Sequence, residues 1–168
     1  MNQVKLFIIL FICFLLQGTV MQVFSLKSYG YDLVAAPYFI LITVLMIGIF
    51  YSKAVALRYA VIFGFLTDVI YTNVWGVYAF CITLTAYLIL LLGMHFNQHL
   101  IIVVIVSMLA TIMLDLEVYG VYTLIGMANQ NFIAYTQQHL SPTLILNTVF
   151  AIIVFYPFKK MMGALKDR

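Results

Sequence analysis

Six apolar runs divide the chain, at 6–26, 33–51, 57–71, 75–94, 100–118 and 140–158, with most of the charged residues lying outside them. A membrane-spanning helix needs about 20 apolar residues, and each run approaches that length, the third least closely. The runs are continuous rather than alternating, which excludes the strands of a transmembrane barrel. Helices that are apolar on every side lose the amphipathic signal, so the pattern assigns no inward faces. It predicts an all-α integral membrane protein: a six-transmembrane-helix bundle forming a single domain, 1–168.

The third and fourth runs form a hairpin around FGFLTDVIYTNVWGVYAF, residues 63–80. This stretch carries Asp68. A carboxylate at membrane depth is costly unless it is paired, hydrated or protonated. Gly64 lies four residues before it, on the same helical face. Gly76 lies eight residues after it, past a polar break at Thr72 and Asn73.

Composition agrees with the pattern. Hydrophobic residues make up 66% of the 168 and charged residues 8%, too few charges to cover a soluble domain of this size. Orientation follows from Lys and Arg. With the N-terminus inside, the inner side holds Lys5, Lys53, Arg58, Lys159, Lys160, Lys166 and Arg168, and the outer side only Lys27. Both termini are therefore expected in the cytoplasm. The basic tail from Lys159 reads as a topogenic anchor that also attracts anionic membrane lipid. The apolar start, with Lys5 ahead of it, lacks the small-residue cleavage pattern of a signal peptide and continues to Leu26, so a retained helix is expected. Cys13 and Cys81 fall at opposite depths and are expected as free, buried thiols.

The orientation also assigns depths. At about 1.5 Å per residue, Asp68 lies roughly 15 Å beyond Arg58, Gln17 about 18 Å past Lys5, and Asn147 about 10 Å in from the outer start of the last helix. Asp115 also falls outward. A polar cluster is expected in this outer slab, with Asp68 paired to Asn147, Gln17 or a Thr or Tyr hydroxyl. Asp115 and Glu117 point to different sides of one helix and read as a charged helix end. The segment 119–139 lacks Lys, Arg, Asp and Glu but mixes amides with aromatics, as a surface loop or a partner contact would. Its candidate contacts are Tyr122, Asn129, Asn131 and Phe132. Pro142 suits the first turn of the last helix, where a missing N–H costs nothing. Pro157 ends or kinks that helix.

Several chemistries lack their residues. There is no GxSG-like nucleophile, and Asp68 follows Gly-Phe-Leu-Thr rather than the GxGD pattern of intramembrane aspartyl proteases. His95 and His99 share a helical spacing, but His139 falls on the other side, so they make no complete metal site. No P-loop or dinucleotide motif occurs, and no basic, aromatic surface suits nucleic acid. Neither catalysis nor a cofactor is expected. The choice narrows to a binding, scaffold or transport role.

The run Gly64-Phe65-Leu66-Thr67-Asp68, followed by Gly76-Val77-Tyr78-Ala79-Phe80, resembles the GLLxD…GxxA signature of the rod shape-determining protein MreD family. Ser141-Pro142-Thr143, Asn147 and the basic exit from Tyr156 to Lys160 resemble its last helix. Ala60 departs from it, where relatives are expected to carry a further glycine and closer packing. The resemblance implies a non-enzymatic component of the bacterial cell-elongation machinery in the cytoplasmic membrane. Such a protein binds MreC, alongside MreB filaments, RodA and a class B penicillin-binding protein, and helps direct lateral peptidoglycan synthesis to maintain rod shape. It also implies a fold similar to the substrate-binding subunits of energy-coupling-factor vitamin transporters, which supplies an alternative function. Against that alternative, 6–26 contains no alanine and only Gly18 as a glycine, where a coupling module would need small residues for docking. In the scaffold reading, Gly64 and Gly76 permit close packing, and Asp68 fixes the hairpin.

Overall fold

The structure, a computed structural model, describes residues 2–23, 34–92, 99–127 and 132–166. Its regular elements are helical. They are α1 (Asn2–Val23), α2 (Phe39–Phe50), α3 (Lys53–Tyr71), α4 (Val77–Leu92), α5 (Leu100–Leu124), a short α6 (Phe132–Tyr135), one π-helical turn (Thr136–Leu140) and α7 (Ser141–Lys166). Among the described residues, four helical stretches are long and apolar enough to cross a membrane: Gln3–Met21, Lys53–Tyr71, Leu100–Leu124 and Thr136–Met161. The helices Phe39–Phe50 and Val77–Leu92 are apolar but shorter. At 1.5 Å per residue they reach only about 18 and 24 Å, against a hydrocarbon core of about 30 Å.

The sequence boundaries shift where local chemistry overrides hydropathy. The described part of the run 33–51, from residue 34, is helical only from Phe39, because Pro37 holds the preceding chain out of the helix. The run 57–71 begins earlier, at Lys53, after an extended Ser52. The fifth run continues past 118 to Leu124, so the start of the predicted loop 119–139 is helix. Nothing stops that helix until Gly126, at φ +75°. There, Met127 N–H donates to Tyr122 O and Gly126 N–H to Thr123 O, a Schellman closure. The end of the segment is helical too, in α6 and the π turn.

Helix α2 is the centre of the bundle. It touches α1, α3, α4, α5 and α7, and nearly all of its side chains are buried. The outer helices turn apolar faces outward, among them Phe7 and Phe11 of α1, Ile62 and Phe65 of α3, Ile105 of α5, and Ile152 and Ile153 of α7. These faces form the surface a bilayer would cover. Trp75 is exposed at the α3–α4 turn.

Tyr59 Oη donates to Gln3 O at 2.9 Å, tying α3 to the start of α1. The Phe50 and Phe155 rings meet edge to face, and Lys159 Nζ stands 5.6 Å from the centre of the Phe155 ring. These contacts gather the N-terminal ends of α1 and α3 and the C-terminal ends of α2 and α7. Lys5, Lys53, Arg58, Lys159 and Lys160 thus share one end of the bundle, while Asp68 and Asp115 lie toward the other. Cys13 and Cys81 are free and buried.

Candidate functional site

Asp68 sits in the last turn of α3 with no exposed surface. Its carboxylate reaches the start of α4. Oδ2 accepts from Gly76 N–H at 3.0 Å and Ala79 N–H at 2.8 Å, and Oδ1 accepts from Tyr78 N–H at 2.9 Å. The first N–H groups of a helix have no partners within it and carry its positive dipole end, so a carboxylate from the neighbouring helix satisfies both needs. The expected pairing with Asn147 or Gln17 is corrected here: Asp68 bonds to backbone N–H groups, and of the expected hydroxyls Thr72 reaches Oδ1 at 3.5 Å, its oxygen also lying 2.9 Å from Asp68 O and 3.0 Å from Val74 O.

Gly64 and Gly76 serve this joint differently. A Cβ on Gly64 would meet Ala79 Cα at 2.8 Å and Tyr78 O at 3.1 Å, so the α3 and α4 backbones touch there. Gly76 has open space around it but a φ of +96°, so its glycine serves the turn rather than close packing.

Asn147 and Gln17 hold a different piece of backbone. Residues 35–38 are buried but not helical, so their polar groups need partners from elsewhere. Asn147 Oδ1 accepts from Tyr38 N–H at 2.7 Å, and its Nδ2 donates to Ala36 O at 2.8 Å. Thr143 Oγ1 accepts from Ala36 N–H at 3.0 Å, and Gln17 Oε1 from Ile40 N–H at 3.3 Å. Pro142 is not in a free first turn, because helical structure already precedes it. Lacking an N–H, it leaves the carbonyl four residues back without a helical partner. That carbonyl, Gln138 O, accepts from Val34 N–H at 3.0 Å.

A second buried carboxylate overturns the reading of Asp115 as a charged helix end. Asp115 has no exposed surface. It accepts from Tyr38 Oη at 2.6 Å and Tyr135 Oη at 2.9 Å, and His139 Nδ1 lies 3.2 Å from Oδ1. Burial first, and then the Asp115 charge, push the Tyr135 hydroxyl above its ordinary range. Glu117 accepts from Thr85 on α4 at 2.8 Å.

Above this cluster lies a cavity of about 560 Å³, walled by six tyrosines: Tyr38, Tyr71, Tyr78, Tyr119, Tyr122 and Tyr135. Tyr122, expected as a partner contact, lines it, whereas Phe132 is exposed and packs near Tyr119. Asn129 and Asn131 lie outside the described residues, as does His95. Among the described residues, no cluster of His, Cys, Asp and Glu could hold a metal.

Sequence reasoning misses Tyr38, Tyr135, His139 and Thr143 as participants. Pro37 is the available signal for the first, since a proline inside an apolar run marks backbone that a helix cannot satisfy. The others come together only through the tertiary fold.

Helices of this length and apolarity, with buried acids serving the bundle's own groups, define a multi-pass membrane protein. The sequence model described as rod shape-determining protein MreD matches residues 1–165. The chain is also 31% identical over 163 residues to the rod shape-determining protein MreD of Bacillus subtilis (strain 168), covering 91% of this chain and 95% of that relative. It belongs to the MreD family, a shape-determining component of the rod-shape machinery. No solved structure matches it.

Proposed function

We propose that this chain is a non-enzymatic scaffold of the cell-elongation machinery in the bacterial cytoplasmic membrane. It crosses six times with both termini in the cytoplasm, binds MreC directly, and shares an assembly with MreB filaments, RodA and a class B penicillin-binding protein. In that assembly it helps direct lateral peptidoglycan synthesis. The observation that carries the reading is the family match over residues 1–165. The bonding of Asp68 and Asp115 supports it, because both carboxylates are engaged by groups of the chain itself. The described Lys and Arg residues at one end support the orientation. Tyr122, Asn129, Asn131 and Phe132 remain the proposed MreC contacts.

Affinity capture from native membranes tests this reading. MreC is expected among the captured proteins, and crosslinkers placed at 119–127 and at Phe132 are expected to reach it. Capture that recovers other membrane proteins but never MreC overturns the proposal.

The tyrosine-walled cavity favours a second reading, a substrate-binding subunit of an energy-coupling-factor vitamin transporter. Gly18 weighs against it. A Cβ there would run into the Tyr71 ring, so the one glycine of α1 faces α3 rather than an external coupling module. Co-purifying ATPase subunits would favour transport.

A further inference from the structure

The cavity has a definite electrostatic character. Its floor is formed by Tyr38 and Tyr135, both buried, whose hydroxyls donate to the fully buried Asp115. Donation to a carboxylate leaves these phenols electron-rich and turns their hydrogens away from any guest. Tyr71 likewise donates to Phe14 O at 3.1 Å. Ring contacts draw the walls together: Tyr119 and Tyr135 have centroids 4.2 Å apart, and Tyr38 and Tyr78 6.5 Å apart. Among the described lining residues none is Lys or Arg, and His139 faces Asp115. The lining therefore offers aromatic rings backed by a carboxylate, with Thr72, Asn73 and His139 as its other polar groups.

We propose that this cavity binds a small organic cation bearing an ammonium or guanidinium group. Aromatic rings attract cations through their quadrupoles, most strongly where water is excluded. The volume of about 560 Å³ lies within the range of small-molecule sites. Such a ligand does not depend on MreC binding, although Tyr122 is shared with the proposed MreC contacts.

Three benzyl probes test the proposal on the full chain in lipid nanodiscs: benzyltrimethylammonium, its neutral isostere neopentylbenzene, and the smaller anion phenylacetate. Binding is followed by ligand-observed NMR. The cation is expected to bind saturably and at least about tenfold more tightly than the neutral isostere, the ratio that 1.4 kcal/mol gives. Phenylacetate is expected not to bind. Tyr119→Leu and Tyr122→Leu should each weaken the cation, and Tyr122→Phe should retain it. Absence of saturable cation binding, equal binding of the neutral isostere, or preference for phenylacetate overturns the proposal. The comparison of probes on the unaltered protein decides the matter even if a leucine variant fails to fold.

Discussion

Lys53 and Asp68 stand near opposite ends of α3 and hold opposite ends of α4. Asp68 accepts the N–H groups at the start of α4, and Lys53 Nζ donates to Leu90 O near its end at 2.7 Å. Each charge thus meets the helix-dipole end of opposite sign. The two contacts differ in weight because Asp68 is buried and Lys53 is exposed. Asp68→Ala is expected to destabilise by on the order of 3 kcal/mol, since it strands three partly buried backbone donors at once. Lys53→Met should cost about 0.3–1 kcal/mol. Thermal unfolding in nanodiscs compares them, and equal losses would contradict this account.

Gly64→Ala and Gly76→Ala probe two separate demands. The first forces backbones apart and should cost roughly 1–3 kcal/mol. The second strains a positive φ without any clash and should cost a similar amount, about 1–3 kcal/mol. Disulfide trapping between cysteines placed across α3 and α4 separates them: Gly64→Ala alone should slow trapping near Ala79.

Asn147→Leu removes the partners of Tyr38 N–H and Ala36 O together. A loss on the order of 3 kcal/mol is expected, with faster hydrogen exchange at Tyr38. Unchanged exchange there would show that Asn147 does not hold this backbone.

Tyr135 carries a pH dependence. Its hydroxyl titrates near 10 when unfolded and higher when folded. The native state therefore holds the proton more tightly. The stability this contributes is complete below about pH 10 and falls as pH rises beyond it. Tyr135→Phe should flatten the alkaline decline in melting temperature, and parallel curves for variant and wild type would exclude the effect.

The helical character of the chain is legible in the sequence because long apolar runs leave few alternatives. The ends of α2 and α5 are less so: Pro37 and Gly126 act through backbone geometry, which hydropathy does not register. Asp68 stands out as a charge within an apolar run, but its partners are backbone N–H groups, which nearly every residue type supplies and no composition reveals. Gln17 and Asn147 draw notice by their depth, while the needs they meet are backbone ones: Asn147 serves the non-helical path at 35–38, and Gln17 the unpaired Ile40 N–H in the first turn of α2. Asp115 reads as a helix end from sequence because Tyr38, Tyr135 and His139 come from segments apart in the chain and meet only once it has folded.

The path into α2 has a consequence for synthesis. Tyr38 N–H waits for Asn147, which leaves the ribosome 109 residues later. Until the final helix arrives, the entry to the central helix lacks the group that completes it, so a nascent chain truncated before α7 should remain prone to quality-control proteolysis.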